Sequence, residues 1–222
     1  MQPIFLFCQD DEEDDCSVVE TPTGSQQLEK NAGGQSNGQM LTNGQIGDSW
    51  QNNALQSTEE DQEMALQFST WFYQMLNACN PIYLNHISQA EHFGPQHFFH
   101  DANLSMLFFD RENRQKEDVS QADVVCKRLS SLTSEQRLVF NPNLEPTGVK
   151  GLSDPHGLRV VIVCGTVHTS SEVVGPFEQQ FGLVRDPFSE NNWKIKFTRL
   201  AVSTDRVSGL PTLDFTRRAL ST

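Results

Sequence analysis

Residues 158–169, LRVVIVCGTVHT, constrain the fold more than any other stretch. The run is rich in β-branched residues and, through its middle, apolar on both faces. A strand of that kind has to be covered on both sides, which places it inside a sheet rather than at a solvated edge. Val161, Val163 and Gly165 fall on one face, and Leu158, Val160, Ile162 and Cys164 on the other. Helices lying on one face alone leave the second in need of cover. That predicts a homodimer or a related partner, with loops or the C-terminal residues as the alternative cover.

The segments around this strand change period along the chain. Met64, Phe68, Trp71, Phe72, Met75 and Cys79 recur at helical spacing after the capping signals Thr58/Asp61 or Ser57/Glu60, and Pro81 ends that helix. A short helical segment over 86–100 leads to a strand, ANLSMLFF (102–109). SQADVVCKRLSSL (120–132) reads as a second helix capped by Ser120 with Asp123, with Ala122, Val125, Leu129 and Leu132 on one face. RLVFN (137–141) is a strand. In PFEQQFGLVRD (176–186), Phe177, Gln179, Phe181 and Leu183 share a face. In NWKIKFTRLAV (192–202), Trp193, Ile195 and Phe197 point one way and Lys194 and Lys196 the other. Segments bearing Pro and Gly, such as SDPHG and RDPFSEN, separate the strands. Helices followed by a run of strands predict an α+β, cone-shaped domain, with N-terminal helices packed on a curved, mainly antiparallel sheet.

Charge divides the chain. Residues 1–60 hold eleven Asp/Glu against one Lys, and the remainder eighteen Asp/Glu against fifteen Lys/Arg, so most of the net −13 lies near the N-terminus. Six acids in a row (10–15) precede a stretch rich in Gly, Gln, Asn, Ser and Thr. Such a composition cannot bury enough apolar surface to offset ordering entropy, so 1–56 is expected to be disordered. The domain is expected over 57–205, with a loose tail over 206–222. No basic stripe is present for a phosphate backbone, which argues against direct nucleic-acid binding. The five scattered cysteines and the absence of a signal or membrane-spanning stretch predict a cytoplasmic or nuclear chain, with no membrane partner.

The densest chemistry in the sequence is EHFGPQHFFHDANLSMLFFD (91–110), which with His86 collects four of the six histidines. His97, His100 and Asp101 would make a two- or three-ligand set on a helix. Against that, Phe98 and Phe99 intervene, no Cys is near, and Gly94-Pro95 turns the chain away from His92. The stretch reads as a helix end, a turn and entry to a strand at Asp101-Ala102, with no metal and no cofactor. No nucleophile elbow, phosphate loop or dinucleotide fingerprint occurs.

HDANLSM (100–106), VCKRLSSL (125–132), VCGTV (163–167) and FEQQFGL (177–183) resemble the nuclear transport factor 2-like superfamily over about 58–202. GPQHFFHD, SDPHGL, GTVH and FEQQFGLVRDPFSENNWKIKF are similar, more closely, to a vertebrate chromosome-3 open-reading-frame family. That resemblance implies a domain of this fold and a part in apoptosis-linked regulation. It also implies that Asp101 caps a helix-to-strand transition. Isomerases of the superfamily carry a general-base carboxylate on the first strand, where this chain has Ser105-Met106. The Asn-Asp of the transport-factor branch is absent near Ile195-Lys196, so cargo or GTPase binding does not carry over. The expectation is a non-enzymatic adaptor that binds protein partners. A small-molecule binding or isomerase/dehydratase-type enzyme is the alternative. The residues expected to form the cone interior or an interaction surface are Trp71, Phe72, Phe98, Phe177, Gln179, Phe181, Trp193 and Phe197.

Overall fold

The first helix, α1 (Glu59–Ala78), begins where its capping residues place it. The Thr58 hydroxyl oxygen accepts a hydrogen bond from the Asp61 N–H, and the Asp61 carboxylate accepts one from the Thr58 N–H, a reciprocal capping box. In the computed structural model, residues 55–82, 92–110, 112–188, 192–204 and 209–214 are described. The expectations for residues 1–54, His86 and most of the C-terminal tail lie outside them. Among the described residues no helix is long and apolar enough to cross a membrane.

After α1 come β1 (Phe98–Phe109), β2 (Arg114–Ser120), α2 (Ala122–Ser134), β3 (Val139–Pro142), β4 (Val149–Ser153), β5 (Arg159–His168), β6 (Val173–Arg185) and β7 (Trp193–Ser203). The seven strands form one sheet in the order β2-β1-β7-β6-β5-β3, with β4 also paired to β5. The β1–β7 pair is parallel and the other pairs antiparallel. Two helices on one face of a mixed, mostly antiparallel open sheet make an α+β fold, as the order of periods predicts.

The main core lies between α1, α2 and the sheet. Phe68, Phe72 and Leu76 of α1 and Val125, Leu129 and Leu132 of α2 meet Val161, Val163, Phe177, Phe181 and Leu183. Each such side chain contributes roughly 1.5–3 kcal/mol by leaving water. Replacing fully buried Phe72 with Ala would cost about 3–5 kcal/mol.

Helix α1 also finishes an edge of the sheet. Asn77 donates through Nδ2 to the Phe140 carbonyl (2.8 Å) and accepts the Phe140 N–H (2.9 Å) through Oδ1, as a neighbouring strand would. Gln62 does the same for β4, donating to the Val149 carbonyl and accepting the Gly151 N–H. Gln56 and Ser153 exchange two backbone hydrogen bonds, and Ser57 donates to the Gly151 carbonyl. Gly151 is required here, because a Cβ at that position would run into the Asp61 backbone.

Several expectations need correction. In the described part of 86–100 the expected helical segment is reduced to one short turn, with no α-helix. Pro95–His97 form a single 3₁₀ turn, and β1 already begins at Phe98. Asp101 therefore does not cap a helix-to-strand transition; it is exposed within β1 and ion-paired with Lys196 (2.6 Å). Ser120 does not cap α2 but ends β2 and donates to Asn103 Oδ1, while Gln121 makes the turn into α2 with φ 81°. Phe197 does not share the inward face of β7 with Ile195. Gly182 pairs with Phe197 and Leu183 with Ile195, leaving Lys196 as an extra residue that flips the alternation. Phe197 lies across Gly182, where a Cβ would collide with its ring.

The second apolar face of β5 is covered from within the chain. Val160, Ile162 and Cys164 pack with Leu213, flanked by Leu152 and Leu158. The Leu213 N–H donates to the Thr147 carbonyl (3.0 Å). The Pro211 carbonyl accepts from Asn143 Nδ2 (2.9 Å) and the Cys164 thiol (3.3 Å). Residues 211–213 are thus a strap over this part of the sheet, the alternative cover that the sequence leaves open beside a homodimer or related partner.

Candidate functional site

The space between helices and sheet is the first place to look for chemistry, and it is filled. Phe72, Tyr73, Phe140, Phe177 and Phe181 are all among the most deeply buried side chains. Their rings meet edge to face or tilted, with Phe72–Phe181 centroids at 4.6 Å and Tyr73–Phe177 at 5.4 Å. β1 contributes buried Met106 here, while Ser105 lies on the other side of the strand, near Asp118. One polar chain crosses this interior. Tyr73 donates to Gln179 Oε1 (2.8 Å), and Gln179 Nε2 donates to Thr198 Oγ1 (2.9 Å). Burial pushes the Tyr73 phenol well above its ordinary range, so it stays neutral. The chain is internally satisfied and uncharged, which suits a structural lock better than proton transfer.

The expected site residues therefore divide. Phe72, Phe98, Phe177, Gln179 and Phe181 are brought together in or against the core. Trp71 sits at its margin, its ring 4.9 Å from that of His97. Phe197 is on the opposite face of the sheet. Trp193 is at the end of the sheet, half-buried; it packs against the margin of the core and also takes part in a second arrangement.

That arrangement is an open groove of about 550 Å³ between the β4–β5 turn (153–157) and the ends of β6 and β7. The turn is held by Asp154, whose carboxylate accepts the N–H groups of His156 (2.9 Å) and Leu158 (2.8 Å). Arg159, Arg185 and Trp193 line the groove from three strands. The guanidinium carbons of Arg159 and Arg185 lie 5.6 and 5.2 Å from the centre of the Trp193 ring. Arg159 is also ion-paired with Asp61 and Glu60. Asp61 is fully buried and accepts from the Thr58 and Ser153 hydroxyls as well. Burial pulls its carboxyl up, but the hydrogen bonds from Thr58 and Ser153 and the charge of Arg159 outweigh this and hold it below the ordinary carboxylate value. Arg185 is exposed and makes no ion pair among the described residues. In the sequence, SDPHG and RDPFSEN read only as separators between strands. The meeting of residues 159, 185 and 193 is a product of strand register, and no spacing in the chain announces it.

The histidine cluster disperses. His97 is buried, and its Nε2 is engaged within the turn, 3.1 Å from the His92 carbonyl and 3.2 Å from Gln96 Nε2. His100 is exposed on β1. Among the described residues no three His, Cys, Asp or Glu side chains are gathered to hold a metal ion. Burial pushes the Cys126 thiol up to about 11 and the Cys164 thiol up to about 12, far from a reactive thiolate.

Comparison with known proteins gives the family of the chain. A mouse protein, "Uncharacterized protein C3orf38 homolog", is 41% identical over 155 residues, covering 66% of this chain and 43% of the mouse protein. The chain thus spans less than half the length of that curated relative. Similar solved structures include "Crystal Structure of Yeast UBP3-associated Protein BRE5" (15% identity, TM-score 0.44, 65% of this chain and 96% of that one). Another is "Structure of nuclear transport factor 2 (Ntf2) from Cryptosporidium parvum" (16% identity, TM-score 0.45, 67% and 99%). Residues 62–212 match the family model described as "DUF4518 C-terminal domain", a span that takes in all of α1 but its first three residues, the whole sheet and the start of the C-terminal strap. The chain belongs to the DUF4518 C-terminal domain family.

Proposed function

We propose that this domain is a non-enzymatic protein-interaction module acting in the cytoplasm or nucleus, in the apoptosis-linked setting implied by the family resemblance. The observation that carries the reading is the filled interior. The side chains that could have lined a substrate cavity pack against one another, and β1 presents Met106 to the core where a base would be needed. Recognition is then left to the outer surface, where an open groove with an aromatic ring and two arginines fits the side-chain preferences of binding surfaces. The free thiols of Cys79, Cys126 and Cys164 fit a reducing compartment.

Cross-linking of the full chain in cell extract, followed by reconstitution with the purified partner, tests this. A complex of fixed stoichiometry by sedimentation is expected. A small apolar ligand that saturably shifts the resonances of Phe177 or Phe181 would overturn the reading in favour of a small-molecule binding or isomerase/dehydratase-type domain.

A further inference from the structure

We propose that the groove at the β4–β5 turn binds a peptide segment in which a Glu or Asp side chain lies beside an apolar one, the carboxylate on Arg185 and the apolar neighbour on Trp193. This rests on the protein-interaction reading and names the chemistry of the partner.

The charge balance of the groove is the first ground. Two guanidinium groups sit within 5.6 Å of one indole ring, yet only Arg159 is neutralised, by buried Asp61 and by Glu60. Arg185 lies over the ring with no carboxylate of its own among the described residues. An incoming carboxylate finds there an uncompensated guanidinium, a planar donor fork suited to two parallel hydrogen bonds. The second ground is rigidity. Asp154 pins the turn on one side of the groove, and Gln56 holds Ser153 through two backbone hydrogen bonds. Trp193 is half-buried, so its ring is set before a ligand arrives and little ordering entropy remains to be lost. The third ground selects among anions. Asp154 lines the same groove, and Glu60, 81% exposed, stands beside Arg159. These acids repel a doubly charged phosphate more than a singly charged carboxylate. They also make the groove unsuited to a nucleic-acid backbone.

The test uses the full chain and an acetylated, amidated pentapeptide Pro-Leu-Glu-Leu-Pro, followed through the Trp193 indole N–H resonance, which is assigned with Trp193→Phe. A saturable shift is expected for the wild type, weakened at least about tenfold when the peptide Glu is replaced by Gln. Arg185→Glu should abolish binding of that peptide and create binding of Pro-Leu-Lys-Leu-Pro, a reversal that misfolding cannot produce. Arg185 is exposed, so this variant should unfold at the wild-type temperature. No shift at about 10 mM peptide overturns the proposal, as does equal binding of the Gln peptide. Tighter binding of the phosphoserine analogue reassigns the groove to phosphate and overturns it too. If these fail while the reconstituted complex forms, the interaction reading stands and its surface lies elsewhere.

Discussion

Replacing Asp61 with Asn is expected to destabilise the fold more than any other isosteric change at a charged residue. Asp61 is fully buried at the N-terminus of α1, where it receives Thr58, Ser153 and Arg159. Breaking a buried ion pair by neutralising one partner costs about 3–5 kcal/mol when the other is left without compensation. Arg159 is only 19% exposed but retains Glu60, itself 81% exposed, and that remaining pair returns less than about 1 kcal/mol. The expected loss is therefore about 2–4 kcal/mol. At about 2–4 °C per kcal/mol for a chain of this size, the Tm falls by roughly 5–15 °C. Urea unfolding should show a lower midpoint with an unchanged slope. The loss should be strongly non-additive with Arg159→Gln, with a coupling of at least about 1 kcal/mol. The pH dependence has a definite sign. A carboxyl held below its ordinary value of 3.8 contributes stability that is fully present above that value and lost as pH falls through its lowered folded value. The gap between wild type and Asp61→Asn should be flat from about pH 5 to 8 and should close below about pH 4. A loss under about 1 kcal/mol, or a gap that widens in acid, would refute the reasoning.

Three further outcomes follow from other contacts. Asn77→Ala should cost about 2–4 kcal/mol in chemical denaturation, because both backbone groups of Phe140 lose their partner. Tyr73→Phe strips the donor from buried Gln179 Oε1 and should cost about 1–3 kcal/mol, with the Gln179 side-chain amide signals moving in the NMR spectrum. Leu213→Asp places a charge against Val160, Ile162 and Cys164, so this variant should self-associate in sedimentation at tens of micromolar, roughly where weak interfaces register, and adding Ile162→Lys should restore the wild-type profile.

Legibility in the sequence tracked how much of an element's environment is local. α1 was readable because its capping box and apolar stripe lie within one stretch, and the Phe177–Gln179–Phe181–Leu183 face because β6 alternates without interruption there. β2 was missed: RQKEDVS has almost no apolar signal, and its strand character comes from pairing with β1. β4 was missed because five residues built around Gly151 carry too few side chains to show a period. Phe197 was misplaced because a bulge is invisible to alternation, and Lys196 reads as an ordinary outward residue. The groove was illegible for a different reason. Arg159, Arg185 and Trp193 converge only through the β5–β6 and β6–β7 registers, and the signal they share is spatial.

The amides of α1 have a bearing on how this fold could fail. Gln62 and Asn77 come from the same helix yet close the rims of two different strands, β4 and β3. The far rim of the sheet is β2, where Arg114, Lys116, Glu117 and Asp118 put charge along the strand and deter a neighbour. A single local event, the lifting of α1, would therefore bare both short strands at once, beside the most apolar strand in the chain. Protection against edge-to-edge aggregation is thus vested in one helix at one end of the sheet and in surface charge at the other, and only the first of these can be lost by a fluctuation.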